Sequence, residues 1–343
     1  MTSQSEERAT APRGEARATS YDVARLAGVS QSAVSRVFRA GGSVSAAMRS
    51  KVEEAARTLG YAPSQIARSL ISQRSRMIAA IVTDLSNRAY PEILFYLGNE
   101  IQDTGNRMLV FALPSDDHPG DVLRNVLAYH VDGIVSSAVL DDEFLASCDR
   151  QNVPVVLFNR TPRGSRASAV ACDHGLGMDL LISHIAARNE GPLAFLAGPE
   201  AAPVSRERLA GARSALAQLG RSIDRIVHSD YSFEGGRAAA RQLMALPERP
   251  RTIVCANDSM ALGVMDECRH VLGLEVPEDV AVTGFDDIPQ ASWPSYELTT
   301  LRQPVRRMAH MAVRFLTEQI GGQAAPGERR LLAAELMVRG STR

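Results

Sequence analysis

Residues 20–38 read SYDVARLAGVSQSAVSRVF, and this stretch joins two short helical patterns through a glycine-containing turn. The first predicted helix covers residues 21–27 and follows Ser20 as its N-cap. The second covers about residues 31–38 and follows Ser30 as its N-cap. Two short helices connected in this way form a helix-turn-helix.

The second predicted helix has the size and the side chains of a DNA-reading element. It is about 12 Å long, and the major groove is about 12 Å wide. Gln can pair with adenine, Arg with guanine, and Ser with base edges or phosphates. The polar residues that face outward near its N-terminus are Gln31, Ser32, Ser35 and Arg36. A small helical bundle unrelated to DNA is the alternative reading of the same pattern.

The segment that follows predicts one more stable helix and one marginal helix. Residues 46–59 keep helical spacing of apolar residues, with Ser45 as N-cap and Gly60 at the end. Pro63 can begin a short helix over residues 64–71, which read SQIARSLI. A helix of this length is unstable alone in water, so it suits a coupling element that forms only with support.

Charge is distributed unevenly along the chain. The formal net charge is −1, but residues 19–76 hold nine basic and three acidic residues, a net charge of +6. Residues 1–18 are balanced, so the remaining chain carries −7. A basic segment on an acidic body is typical of a module that binds a polyanion.

The sequence offers no sign of a membrane or secreted protein. No apolar run approaches the ~18–20 residues that span a bilayer, and residues 1–18 lack the apolar core of a signal peptide. We therefore expect a disordered leader and a cytoplasmic protein. The four cysteines show no metal-ligand spacing, which favours free thiols. They are Cys148, Cys172, Cys255 and Cys268.

Beyond residue 76, short apolar runs alternate with amphipathic helical stretches, which predicts parallel sheets covered by helices. The predicted strands are Met77–Thr83, Met108–Leu113, Asp132–Ser136, Pro154–Phe158, Leu193–Ala197, Arg225–His228, Thr252–Ala256 and Val280–Gly284. The predicted helices are Pro91–Thr104, Leu176–Ala187, Glu207–Leu219, Gly236–Leu246, Ser259–Val271 and Val305–Ile320. Ligands of such sheets bind beyond the carboxyl ends of the strands.

Polar and aromatic residues cluster at those predicted strand ends. Asn, Asp and Arg can bond hydroxyl groups and an aromatic ring can stack on a sugar or a base, so a hydroxyl-rich ligand suits them. For each residue the alternative is a capping role at the next helix, as for Asp173 and Asp258. The clusters contain Asn87, Asn159, Arg160, Arg208, Asp230, Tyr231, Asn257, Asp286 and Asp287.

Several motifs together resemble the LacI/GalR repressor family over nearly the whole chain from Thr19. Those of the headpiece are YDVA (21–24), AGVS (27–30), VSRV (34–37) and LGYxP (59–63). Those of the effector domain are LAGP (196–199), ANDxMALG (256–263), GFDD (284–287) and LTTxxQP (298–304).

The resemblance implies roles in DNA binding. Gln31, Ser32 and Arg36 would read bases, and residues 64–71 would form the family's hinge helix. Leu70 would be an apolar wedge that enters the minor groove and kinks the duplex. The expected DNA-binding surface also includes Tyr21, Ser30, Ser35, Ser64 and Ala67.

The resemblance also implies roles in effector binding. Arg208, Asn257 and Asp286 would contact the effector, Tyr231 would stack on it, and Asn159 would be a polar contact at the domain crossover. The loop that holds Asn87 and Tyr90 resembles the family's pocket loop. No cofactor, metal or catalytic residue is expected.

The resemblance implies a two-lobed α/β effector domain with parallel sheets, similar to periplasmic sugar-binding proteins, after an all-α head. The expected parts are a leader (1–18), the head (19–62), the hinge helix and linker (63–76) and the effector domain (77–343). Lobe 1 would take about 77–161 plus 304–322, and lobe 2 about 162–303 plus 323–340, joined by three chain crossings. No heptad repeat closes the sequence, so we expect a homodimer on a pseudo-palindromic operator.

The expected function is a transcriptional regulator, a repressor, whose affinity for operator DNA is controlled by a small, sugar-like effector. Whether the effector releases or promotes DNA binding stays open. A transport protein that shares the body's fold would need a signal peptide and no basic head. An enzyme could use the Asp286–Asp287 pair, but no GxGxxG, P-loop or nucleophile-elbow motif accompanies it.

Replacing Leu70 with Ala is expected to weaken operator binding and leave effector binding intact, because the smaller side chain cannot wedge between base pairs. Fluorescence anisotropy with operator DNA selected from a random library measures the first quantity, and calorimetry measures the second. Unchanged operator affinity would remove the wedge from the account.

Overall fold

A computed structural model describes residues 18–38, 43–62, 74–83, 85, 87–113, 120–161, 166–188 and 191–342. The chain divides into two compact units, residues 1–75 and 76–343. Residues 1–17 of the expected leader (1–18) and the expected hinge helix over residues 64–71 lie outside the described residues.

The first unit contains three helices, α1 (Ser20–Ala27), α2 (Gln31–Val37) and α3 (Ala46–Thr58). Ser30 and Ser45 cap α2 and α3 as predicted, each accepting a bond from a backbone N–H three residues later. The cap of α1 is Thr19 rather than Ser20. Asp22 explains the difference, because its carboxylate accepts from the Thr19 N–H at 3.0 Å and so completes a capping box.

The core of the first unit is small and made of short side chains. Val23 and Ala24 of α1 pack with α2 and α3, whereas Leu26 is exposed. The helix turns 100° per residue, so a face centred on Val23 and Ala24 leaves Leu26 at its border. The other core residues are Val34, Val37, Val52, Ala55 and Ala56.

The second unit contains two six-stranded sheets, which confirms the expected two-lobed α/β fold. The strands of the first sheet, in spatial order, are β11 (Arg329–Ala333), β5 (Ser168–Asp173), β4 (Val155–Phe158), β3 (Gly133–Ser136), β1 (Met77–Thr83) and β2 (Arg107–Leu113). Those of the second are β12 (Glu335–Met337), β10 (Thr299–Arg302), β9 (Ala281–Asp286), β8 (Thr252–Cys255), β6 (Leu193–Ala197) and β7 (Arg225–His228). All pairings are parallel except that of β10 with β12.

Helices cover the sheets, and a sheet with its helices is called a lobe below. The described helices are α4 (Tyr90–Asp103), α5 (Gly120–Ala128), α6 (Asp142–Arg150), α7 (His174–Ala186), α8 (Pro203–Gln218), α9 (Phe233–Met244), α10 (Asp258–Asp266) and α11 (Val305–Ile320). A π-helical turn, Glu267–Val271, extends α10, and two 3₁₀ turns cover Pro289–Ser292 and Gly340–Thr342. No described helix combines the length and the apolar character that a bilayer span requires.

Strand order shows that the chain passes between the lobes three times. The crossings lie after β5, between β10 and α11, and between β11 and β12. Strands β5 and β11 therefore belong to the first lobe, whereas the expected lobe limits had placed both in the second. Neither strand was predicted, because β5 is a run of small residues and β11 begins with two arginines.

His174 is buried at the first crossing, where α7 begins. Its ring lies 5.3 Å from the ring of Phe285, and neither ring nitrogen has a hydrogen-bond partner among the described residues. Its Nε2 lies 3.8 Å from the carboxylate of Glu207. Burial, reinforced by the cations Arg208 and Arg160, holds the pKa of His174 well below its usual value of 6.5.

His174 is expected to make the protein less stable as the pH falls below about 6.5. Below this pH the unfolded chain binds a proton at His174, whereas the folded chain does not. The free energy of unfolding therefore falls by up to about 1.4 kcal/mol per pH unit. In urea unfolding at several pH values, the free energy of unfolding should depend less on pH for His174→Gln than for the wild type. The matched control is His310→Gln at an exposed position, and an unchanged slope for His174→Gln would contradict the assignment.

Candidate functional site

The outer surface of α2 carries the side chains that the sequence assigned to DNA. Ala33, Val34 and Val37 turn into the core of the head. The exposed residues at the start and along the outer face of α2 are Ser30, Gln31, Ser32, Ser35 and Arg36. One polar face of a short helix is therefore available to a partner.

Tyr21 extends this surface from α1, because its side chain is 72% exposed. The amide of Gln31 donates to the hydroxyl of Ser20 at 3.4 Å, which links the starts of α1 and α2. Three further residues assigned to DNA binding, Ser64, Ala67 and Leu70, lie outside the described residues.

All seven residues assigned to effector binding line one cavity of about 260 Å³ in the second unit, the interlobe cavity. Its walls come from both lobes, at the carboxyl ends of strands, where parallel sheets bind ligands. The seven residues are Asn87, Tyr90, Asn159, Arg208, Tyr231, Asn257 and Asp286.

Arg208 and Asp286 form a buried ion pair at the wall of the interlobe cavity. The Arg208 guanidinium donates to the Asp286 carboxylate at 3.0 Å and to the Ala256 carbonyl at 2.5 Å. Its central carbon lies 3.7 Å from the ring centre of Phe285, a cation–π contact. Gln303 adds a second bond to the carboxylate at 2.7 Å. These contacts hold the guanidinium in one orientation.

The same contacts set the electrostatics of this wall. Burial raises the pKa of Asp286, while Arg208 and Gln303 act in the opposite direction. Both donors approach Oδ1 of the carboxylate. The Arg208 Nε is buried and has no hydrogen-bond partner among the described residues.

Tyr231 forms an aromatic wall of the interlobe cavity. Its backbone is in the left-handed region, with φ of 66°. Its ring lies so close to Gly198 that a Cβ atom there would be 2.1 Å from Cζ. The position of the ring therefore requires glycine at residue 198.

Asn257 lines the interlobe cavity, but its amide is bound within the protein. Oδ1 accepts from the Met260 N–H at 3.0 Å and caps α10. Nδ2 donates to the Tyr231 carbonyl at 3.0 Å. Asp258, considered as a possible cap, instead accepts from the Ile288 N–H and the Thr300 hydroxyl.

The first lobe supplies the opposite wall. The Tyr90 hydroxyl lies 3.1 Å from the Thr83 hydroxyl, and Asn87 Oδ1 accepts from the Ala89 N–H. Asn159 Oδ1 accepts from the Cys172 N–H at 3.2 Å, so its NH₂ group is the polar end left for a ligand.

Eleven lining residues were not among the assigned site residues, and Ser137 and Gln303 are two of these. Ser137 follows β3 directly, so its place at a strand end was the available signal. Gln303 lies at the second crossing, and the LTTxxQP motif (298–304) that contains it was the available signal. The four cysteines are free and buried.

Comparison with known proteins gives the same two-part division. The profile described as bacterial regulatory proteins, lacI family, matches residues 19–64. The profile described as periplasmic binding protein-like domain matches residues 182–342.

Relatives match nearly the full chain. The ribose operon repressor of Escherichia coli K12 is 32% identical over 94% of this chain and 99% of its own length. The repressor CytR of the same strain is 32% identical over 97% of this chain and 98% of its own length. The regulator MalR of Streptomyces coelicolor is 33% identical over 94% and 95%.

Two solved structures are also similar. The Lac repressor dimer bound to operator and the anti-inducer ONPF has a TM-score of 0.85 at 30% identity, over 95% of this chain and 99% of that chain. The regulator CelR in complex with cellobiose has a TM-score of 0.71 at 30% identity, over 95% and 100%. This chain belongs to the LacI family of DNA-binding transcriptional regulators.

Proposed function

We propose that this protein is a cytoplasmic repressor that binds operator DNA as a homodimer and responds to a sugar. One observation carries the proposal: the interlobe cavity brings together every residue assigned to effector binding, from both lobes. Residues that are up to 199 positions apart meet there because parallel strands end at one edge of each sheet.

The exposed face of α2 supports the DNA-binding part. We assign base contacts to Gln31, Ser32 and Arg36, and backbone or supporting contacts to Tyr21, Ser30 and Ser35. Ser64, Ala67 and Leu70 are assigned to the hinge on sequence grounds alone. Two-fold symmetry of a dimer would match a pseudo-palindromic operator.

The chemistry of the interlobe cavity supports a sugar. Arg208 and Asp286 offer a donor and an acceptor to adjacent hydroxyl groups, and the Tyr231 ring offers an apolar face to a sugar ring. Asn87 and Asn159 add amide groups from the other lobe. Two relatives named above, the ribose operon repressor and CelR, are connected by name to sugars.

Coupling between sugar and DNA is assigned to the angle between the lobes. A ligand that contacts both walls favours the lobe angle to which it binds more tightly. The resulting coupling free energy is typically about 1–3 kcal/mol. Gln303 links the cavity to a change in the angle between the lobes, because it donates a hydrogen bond to Asp286 and lies at the second crossing. The hinge helix predicted over residues 64–71 would pass the change to DNA.

The ion pairs of Asp286 and its neighbour Asp287 favour binding over catalysis. Asp286 is paired with Arg208, and Asp287 is paired with Arg302 and Arg339 at 2.7 and 2.6 Å. A carboxylate bonded to a guanidinium is already engaged, whereas a general base must reach the proton that it removes. We therefore assign no catalytic role, and a turnover assay with the sugars named below tests this assignment.

Replacing Arg208 with Lys is expected to weaken sugar binding about tenfold or more, because Lys keeps the charge but loses the planar fork. Calorimetry with D-ribose, D-glucose and cellobiose measures the affinity. Operator affinity without sugar should stay near that of the wild type.

The matched control is Arg206→Lys on the same helix, since Arg206 is exposed and bonds only the Glu200 carbonyl among the described residues. Arg206→Lys should bind sugar normally. If Arg208→Lys also bound sugar and responded normally, Arg208 would be excluded from the site.

A further inference from the structure

Three consecutive strand ends in the second lobe hold the aromatic wall of the interlobe cavity. Gly198 follows β6, Tyr231 follows β7, and Asn257 follows β8. The strands lie in the order β8–β6–β7, so Gly198 is between the other two. The bond from the Asn257 amide to the Tyr231 carbonyl therefore spans the end of β6.

The Asn257 side chain is 2% exposed, and two of its polar bonds are made within the protein. Its oxygen accepts from the Met260 N–H and its nitrogen donates to the Tyr231 carbonyl, both at 3.0 Å. One N–H of the amide remains. A direct bond to a ligand is thus a minor part of what this side chain does in the structure.

Tyr231 needs support from its surroundings. A non-glycine residue at φ of 66° is strained and persists only where neighbouring contacts hold it. The hydrogen bond from the Asn257 amide to the Tyr231 carbonyl, called the tether below, restrains the peptide group of Tyr231. The ring lies against Gly198, so close that a Cβ atom at residue 198 would clash with it.

We propose that Asn257 is a positioning residue, which acts on the ligand through Tyr231 by holding its ring against Gly198. The inference rests on the proposed function, because Tyr231 matters only if a ligand stacks on it. Gly198 sets how far the Tyr231 ring can withdraw from the cavity. Asn257 sets the position of the ring along the edge of the sheet. Together they fix the width of the cavity on this side.

Asn257→Asp separates the two bonds of the amide. Asp is a good N-cap, so the bond from the Met260 N–H is retained. A carboxylate cannot donate to the Tyr231 carbonyl, so the tether is lost. Asn257→Ser is the uncharged second variant, because Ser also caps helices but is too short to act as the tether.

A double-mutant cycle on the full-length protein tests the inference. The probes are D-ribose, D-glucose and cellobiose, and the cycle uses the one that binds the wild type most tightly by calorimetry. Asn257→Asp is expected to weaken binding about tenfold. In the Tyr231→Ala background, the same substitution is expected to have no further effect. Equal losses in both backgrounds, or no loss in either, would overturn the inference.

The crystal structure of Asn257→Asp, or of Asn257→Ser if the first variant does not fold, provides a readout without ligand. We expect the Tyr231 ring to leave Gly198 and the cap of α10 to remain. A ring still seated on Gly198 would overturn the inference. If none of the three sugars bound the wild type, the proposed sugar response would fail, while this structure would still decide the role of Asn257.

Discussion

In a parallel sheet all strands end at the same edge, and this constraint underlies the interlobe cavity. Each lobe places its loops at one edge, so polar residues far apart in sequence become neighbours. Asn159 after β4 and Asp286 at the end of β9 line the same space although they belong to different sheets. Three chain crossings connect the two lobes.

The ion pair of Arg208 and Asp286 is the most demanding interaction at those edges. Removing two charges from water costs several kcal/mol per ion, and the cost is offset only when geometry and further hydrogen bonds are good. The Ala256 carbonyl, the Gln303 amide and the Phe285 ring supply these additional contacts. The side chains are therefore oriented before a ligand arrives, which lowers the entropy lost on binding.

Much of the fold could be predicted because strongly apolar runs identify buried strands. Met77–Thr83, Leu193–Ala197, Arg225–His228 and the helix Val305–Ile320 were predicted to the residue. Strands β5, β10, β11 and β12 were missed, since β5 is a run of small residues, the other three are short or contain polar residues, and the identity of all four depends on pairing. Strand β11 pairs with β5 across more than 150 residues, and local patterns carry no information on such contacts.

The candidate site was predictable to a similar degree. The seven residues assigned to effector binding line one cavity, because strand ends converge in this class of sheet, and their roles stay predictions. The structure adds which atoms of these residues already form contacts within the protein. The sequence alone does not show that the Asn257 amide is tied to Tyr231, or that Gly198 lies beneath the tyrosine ring. Those facts depend on the spatial order of β8, β6 and β7.

The central claim is that the interlobe cavity and the DNA-binding surface are thermodynamically coupled. Coupling of this kind is reciprocal, since each ligand must change the affinity for the other by the same factor. The most direct measurement determines sugar affinity with and without saturating operator, and operator affinity with and without saturating sugar, on the same full-length protein. The account predicts equal factors of about 5- to 150-fold in both directions, and a sugar that binds with the same affinity whether or not operator is present would contradict it.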